Sequence, residues 1–316
     1  MKLKSNLAAD GAILLTTLIW GSTFSVARGV LDQWPPLTYL ATRMPLAALV
    51  FAALFPRKVL GASREAWRAG ATLGALVGVG FIGQTVGLLY TTPAKSAFIT
   101  GITTPLVPVV AYAVWRARPS RENLAGIVLA SAGGALILAP ANAAGVNTGD
   151  LITLSTTLLF AAHITLMSLY ARRFDPGQLS ALQVTTAAAL VLGAWLAVRG
   201  FAALAGAESL PPGLARETQP LVWSAAVAGQ LAYLALFATV ATFLLWTWGQ
   251  ARMSATHAAV IFSLEPVFAT LFAVLLRGSA EWTGGRATLG ALLVVAGVLA
   301  SELRWGRDGG EAEGGR

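Results

Sequence analysis

Cysteine is absent from the chain. That excludes disulfides, thiolate metal sites and thiol nucleophiles, and it removes cysteine usage as a guide to redox compartment. Histidine occurs only at His163 and His257, and charged residues make up 11% of the 316 positions. So few ionisable groups leave no HExxH pair and no nucleophile–base–acid set, so the chain is not expected to be an enzyme and implies no metal or cofactor. A Walker sequence is also missing, which argues against ATP-driven pumping by this chain alone.

Apolar residues are what the chain has in excess, with 56% hydrophobic and a mean hydropathy of +0.69. This is the composition of a membrane protein. The net charge of +8 does not point to nucleic acid, because membrane proteins collect Lys and Arg in cytoplasmic loops. The first apolar segment is too long and too often interrupted by polar residues for a signal-peptide core, and reads as a retained span.

At about 20 apolar residues per crossing, ten spans can be drawn, near 11–31, 37–55, 67–90, 94–115, 124–141, 149–170, 179–198, 223–248, 255–276 and 284–303. The expected fold is an all-α membrane protein. Most connections are short and carry Pro or Gly; only 199–221 is a long loop, and the Gly-rich, charged tail 304–316 is expected to be disordered and cytoplasmic. Placing the N-terminus in the cytoplasm puts Arg57, Lys58, Arg64, Arg68, Arg172 and Arg173 on the inner side and fewer basic residues outside, so both termini are expected to be cytoplasmic.

The chain repeats itself. DGAILLTTLIWGST, from Asp10, falls on DLITLSTTLLFAAH, from Asp150, which pairs Trp20 with Phe160 and Thr23 with His163; the same offset puts Arg43 on Gln183. AKSAFITGITTP, from Ala94, falls on ATHAAVIFSLEP, from Ala255, pairing Gly101 with Phe262, Thr104 with Glu265 and Pro105 with Pro266. Gly126 and Gly133 fall on Gly290 and Gly297. The units 10–141 and 149–303 each hold five spans, and an odd number forces the second to enter the membrane from the opposite side. Ten helices arranged as two inverted five-helix repeats are the mark of a carrier with a midplane substrate site and alternating access.

These residues resemble the drug/metabolite transporter superfamily in its ten-helix EamA-type branch. The resemblance is carried by LIWGSTF (Leu18 to Phe24), Arg43 and the segments opening spans four and nine, and the two five-helix units cover nearly the whole chain. It implies a multi-pass inner-membrane secondary transporter exporting small amphipathic metabolites, in particular amino acids of aromatic or hydrophobic character, with proton coupling as the expected drive. A drug or amine efflux carrier of the same fold is the alternative; a channel or structural subunit ranks below both. The implied partners are a small-molecule substrate and the lipid bilayer, with the chain as a monomer and no nucleic acid.

Several residues at membrane depth are candidates for chemistry. An ionised Glu265 near mid-span costs about 2.5–3.5 kcal/mol on insertion scales, so it needs a proton or a partner. It is a candidate for proton coupling, as is His163; a static pair between Glu265 and Arg43 is the other reading. Pro105, Pro108 and Pro266 break helical hydrogen bonds and suggest hinges, freeing carbonyls such as that of Phe262. Trp20 and Phe160 lie mid-membrane, away from the interfacial belts that account for Trp34, Trp67, Trp115 and Trp223. Thr23, Gln84, Gly101, Thr104 and Phe262 complete the candidate substrate site, with helix packing as the competing role for Gln84 and for the small face around Gly101. Asp10 and Asp150 open their spans, where helix capping is a sufficient role, and His257 reads as a boundary residue.

Overall fold

A computed structural model describes residues 6–91, 96, 99–116, 118–138, 146–277 and 284–302. The spans are α1 (Leu7–Leu31), α2 (Pro36–Leu54), α3 (Arg64–Gly87), α4 (Thr103–Trp115), α5 (Arg121–Leu138), α6 (Thr148–Tyr170), α7 (Pro176–Ala205), α8 (Ala225–Gln250), α9 (Ala255–Phe262 continued by Glu265–Arg277) and α10 (Gly285–Glu302). Seven of these, all but α4, α5 and α10, are long and apolar enough to cross a membrane by length and composition; Ile99–Trp115, which takes in α4, and Thr288–Ser301 within α10 are shorter apolar stretches. The tail 304–316 lies outside the described residues.

Polar side chains start these helices where the sequence turns. Asn6, Ser63, Ser224 and Ser254 each accept a backbone N–H from the first turn of the following helix. Asp175 does the same for α7, with Pro176 preset at the first helical position. Asn147 and Asp150 form a reciprocal capping box at the start of α6. Inside α1, the fully buried hydroxyls of Thr16 and Thr17 return to the carbonyls one turn back, of Ala12 at 2.9 Å and of Ile13 at 2.7 Å, so neither is left without a partner in the core.

The seam between α5 and α10 shows the symmetry directly. A Cβ added at Gly133 would meet the Gly290 carbonyl and, at 2.7 Å, the Val294 nitrogen; one added at Gly297 would meet the Gly126 carbonyl at 2.7 Å and the Ala130 nitrogen at 2.9 Å. Gly133 and Gly297 are repeat mates, and so are the groups they touch. A two-fold axis relates the halves, and because α5 and α10 run antiparallel across it, that axis lies in the membrane plane. Glycine lets the α3 and α7 backbones approach in the same way, since a Cβ at Gly70, Gly74 or Gly78 would collide with Leu182, Gln183 or Ala187.

Both fourth helices of the repeats are broken at equivalent points. Helix at 99–101 gives way to a turn at Ile102 before α4 restarts at Thr103; α9 pauses at Ser263 and Leu264 and restarts at Glu265. Pro105 and Pro266 therefore sit in the first turn of the second segment, where the N–H that proline lacks has no intrahelical acceptor. They start segments rather than kink continuous helices. Pro108 lies inside α4, buried.

The long connection between α7 and α8 is an ordered strap. Its Glu217 is fully buried and accepts the Leu37 and Thr38 backbone N–H groups at 2.7 and 3.0 Å and the Thr38 hydroxyl at 2.7 Å, capping α2 from a distance. Burial pushes this carboxyl up from its ordinary range, against the opposing effect of those three donors. Trp34 is also buried rather than part of an exposed belt, its ring set edge-on to Trp223 and its N–H donated to Val222 O.

Candidate functional site

A cavity of about 300 Å³ lies between the halves, walled by α1, α2, α3, α5, α6, α8 and both broken helices. It sits toward the end of the bundle where α1 and α3 finish, since Leu31, Leu40 and Leu88 are part of its wall. Its floor is aromatic. Trp20 stacks on Phe262 with centroids 5.5 Å apart and meets Trp246 edge-on at 5.0 Å; Phe160 packs against Phe81 at 5.9 Å. The Trp20 indole N–H donates to Ala238 O at 3.2 Å. That carbonyl lies in Leu236–Ala241, a π-helical turn within α8, of the kind that often marks functional positions.

Of the sequence candidates, Trp20, Thr23, Gln84, Gly101, Thr104, Phe160, Phe262, Glu265, Pro105 and Pro266 all line the cavity. Thr23 donates to Trp20 O at 2.7 Å, Gln84 to the Thr100 hydroxyl at 3.1 Å and Thr104 to Ala259 O at 3.4 Å. A Cβ at Gly101 would meet nothing within 4 Å, so that glycine faces open space rather than a close helix. Glu265 is the first residue of its helical segment, where the positive end of the helix dipole favours a carboxylate. Among the described residues it has no hydrogen-bond or ion-pair partner.

Two candidates lie elsewhere. Pro108 is not part of the cavity wall. His163 is fully buried beneath the aromatic floor, its ring 4.6 Å from that of Trp246 and its Nε2 2.9 Å from Gln183 Oε1. Below it the helices are locked by Ser180, which bonds Phe243 O at 3.0 Å and the Thr247 hydroxyl at 2.9 Å, and by Gln250, which takes the Trp246 N–H and donates to Ile164 O at 3.1 Å. Asp10 does more than cap α1: its carboxylate meets His257 Nε2 at 3.0 Å, tying α1 to the start of α9.

Arg43 does not pair with Glu265. Its Nε donates to the Thr239 hydroxyl at 3.0 Å, Nη1 to the Tyr39 hydroxyl at 2.8 Å and Nη2 to Ala238 O at 3.2 Å, with the guanidinium 5.5 Å above the Phe81 ring. Arg43, Tyr39 and Phe81 were not among the sequence candidates for the substrate site, yet all three line the cavity. Helical spacing offered a signal for two of them, because Tyr39 is one turn from Arg43 and Phe81 shares a face with Gln84.

The EamA-like transporter family model matches this chain twice, over residues 7–139 and 147–302. An uncharacterized transporter of Archaeoglobus fulgidus is 31% identical over 300 residues, covering 94% of this chain and 87% of that protein. The uncharacterized transporter YyaM of Bacillus subtilis is 26% identical over 298 residues, covering 90% of each. A crystal structure titled only as that of a protein superposes with a TM-score of 0.73 at 19% identity, covering 94% of this chain and 97% of the other, which bears on the fold alone.

Proposed function

Because the chain belongs to the EamA-like transporter family, we propose that it is a secondary carrier that exports amino acids with aromatic or other apolar side chains, coupled to protons through Glu265. The observation that carries this reading is the cavity itself: a chamber of about 300 Å³ at the meeting of two broken helices, apolar except for a few convergent polar groups. That volume is at the lower end for ligand pockets, which suits a small metabolite. Trp20, Trp246 and Phe262 supply an aromatic surface and Glu265 supplies a carboxylate beside it. Glu265 takes a proton or a substrate ammonium in turn, so loading one displaces the other. The distribution of Lys and Arg supports an inner-membrane orientation with both termini in the cytoplasm. Described residues offer no cluster that would hold a metal ion.

Counterflow in proteoliposomes tests the reading. Vesicles preloaded with L-phenylalanine or L-leucine are expected to accumulate the labelled amino acid transiently and with saturation; flux no greater than in protein-free vesicles across an amino-acid panel overturns it. Glu265→Gln is expected to abolish pH-driven uptake while exchange of labelled substrate remains measurable. Unchanged pH-driven flux removes Glu265 from the coupling role.

A further inference from the structure

We propose that Arg43 is the residue that recognises the substrate's carboxylate, so that the carrier selects zwitterions over plain amines; this rests on the amino-acid reading above. Arg43 is only 7% exposed and lies within a span, where a guanidinium cation is costly unless an anion meets it. Its three hydrogen-bond partners are a hydroxyl of Thr239, a phenol of Tyr39 and a backbone carbonyl of Ala238, all of them neutral. They fix the direction of the guanidinium without cancelling its charge. Among the described residues no carboxylate pairs with it. Of its five N–H groups, one on each terminal nitrogen is left over, enough to engage a carboxylate in the cavity that Arg43 lines.

The repeat provides an internal control. Gln183 occupies the equivalent position in α7 and is completely buried, satisfied by His163 at 2.9 Å and close to the Thr247 hydroxyl at 3.5 Å. The five-helix unit therefore folds with a neutral amide at this position, and the positive charge at Arg43 is not a requirement of the architecture. Two features of α8 support a ligand role independently. The π-helical turn presents the Ala238 carbonyl to Trp20 and Arg43 together, at 3.2 Å each, so the aromatic floor and the cation are positioned by one atom. The second is the Thr239 hydroxyl, which donates to Leu234 O at 2.8 Å across the widened turn and so turns its lone pairs to Arg43 Nε.

Glu265 supplies the opposite sign in the same cavity, and among the described residues no cation pairs with it. A ligand bearing an ammonium, a carboxylate and an apolar side chain satisfies both charges and the aromatic floor. A drug-like or biogenic amine satisfies only two of the three.

Competition for L-phenylalanine counterflow by L-phenylalanine, L-phenylalaninamide and phenethylamine tests this. The wild-type protein is expected to prefer the acid over both analogues by about 100-fold, as loss of a charge-assisted pair implies. Arg43→Gln is expected to bring that ratio near unity by weakening the acid alone, with the amide unchanged. Arg43→Lys, which keeps the charge but loses the fork, is expected to fall between. A wild-type ratio near one overturns the proposal whatever the variants do, and so does a folded Arg43→Gln protein with the wild-type ratio. If no amino acid shows counterflow, the amino-acid reading fails by itself, and the thermal shift given by benzoate then decides Arg43. A shift in wild type that is absent in Arg43→Gln keeps the anion site; equal or absent shifts in both overturn it.

Discussion

The two halves of this transporter share a fold but do not place equivalent positions in equivalent surroundings. Trp20, Thr23 and Arg43 of the first half line the cavity, whereas of their mates in the second half only Phe160 does, with His163 and Gln183 packed against each other below the floor. Inversion explains the difference. Arg43 lies two turns from the start of α2, and Gln183 two turns from the start of α7 at the opposite end of the bundle. The structure thus holds the cavity toward one end while the equivalent place at the other end is filled by the His163–Gln183 pair, Trp246 and Phe243. In an inverted-repeat carrier the halves exchange conformations during transport. On the alternating-access reading proposed above, the filled end would open as the cavity closes.

Where the halves are equivalent, breaking them should cost the most and the same. Gly133→Ala and Gly297→Ala each push a methyl into the backbone of the facing helix at symmetric points. Each is expected to lose about 1–3 kcal/mol by overpacking, read as a lower melting temperature in detergent. Gly134→Ala is the control beside them, because a Cβ there meets nothing within 4 Å. A large difference between Gly133→Ala and Gly297→Ala would break the two-fold seam.

Where the halves differ, accessibility should show it. The absence of cysteine makes single-cysteine variants clean reporters. Thr23→Cys is expected to react with a small aqueous thiol reagent at least about tenfold faster than His163→Cys, since slow opening limits a buried thiol. Transport conditions that turn the carrier over should narrow the gap. Equal rates at rest would mean that the floor of Trp20, Trp246 and Phe262 does not seal the cavity.

Much of this was legible in the residues because it depends on depth along the chain. The repeat, the paired prolines and the polar interruptions at Thr104 and Glu265 locate the broken helices, and ten of the twelve site candidates named from sequence do line one cavity. What was not legible is of a different kind. His163 matches Thr23 in the repeat, but equivalence under inversion puts it toward the opposite end of the bundle, where it is buried against Gln183. Whether Arg43 pairs with Glu265 stays open in the sequence, because sequence gives depth without the face of the helix. The π-helical turn that holds it comes from LFATVA, whose residues carry no glycine or proline to announce a change of winding. Pro105 and Pro266 suggest hinges from sequence, and their place in a first turn depends on where each helix restarts.

The connections between spans two and three of each repeat make a smaller contrast. In the first half residues 55–63 suffice, while the second half uses the strap of residues 206–224, which sets Glu217 against α2. Glu217→Ala strips acceptors from two N–H groups and a hydroxyl and is expected to cost about 1–3 kcal/mol locally, seen as faster hydrogen exchange at Leu37 and Thr38. Because the folded carboxyl is shifted up, its contribution is fully present below the ordinary carboxylate range and is lost as pH rises through the shifted value. Protection of Leu37 and Thr38, measured against the intrinsic base-catalysed exchange rate at each pH, should therefore fall from acid toward neutral pH in the wild type. Protection that does not change with pH would mean the three donors hold the ionised form as well as the neutral one.

At the other end, Lys58 in the short connection of the first half meets Asp175 at the start of α7, with N···O distances of 2.8 and 2.9 Å. Burial raises the Asp175 carboxyl, but the Lys58 hydrogen bond and the Gln178 and Gly177 backbone N–H groups outweigh it and hold it below its ordinary range. With a depressed folded value, the stabilisation is present above the ordinary carboxylate range and is lost as pH falls through the depressed one. Both side chains are 45% exposed, so solvent screens most of it. Asp175→Asn keeps a helix cap as good as aspartate and removes only the charge, and should cost less than about 1 kcal/mol. Asp175→Ala removes the cap as well and should cost about 1 kcal/mol more. If Asp175→Asn already cost as much as Asp175→Ala, the ion pair rather than the cap would fasten the first half to the second at this end.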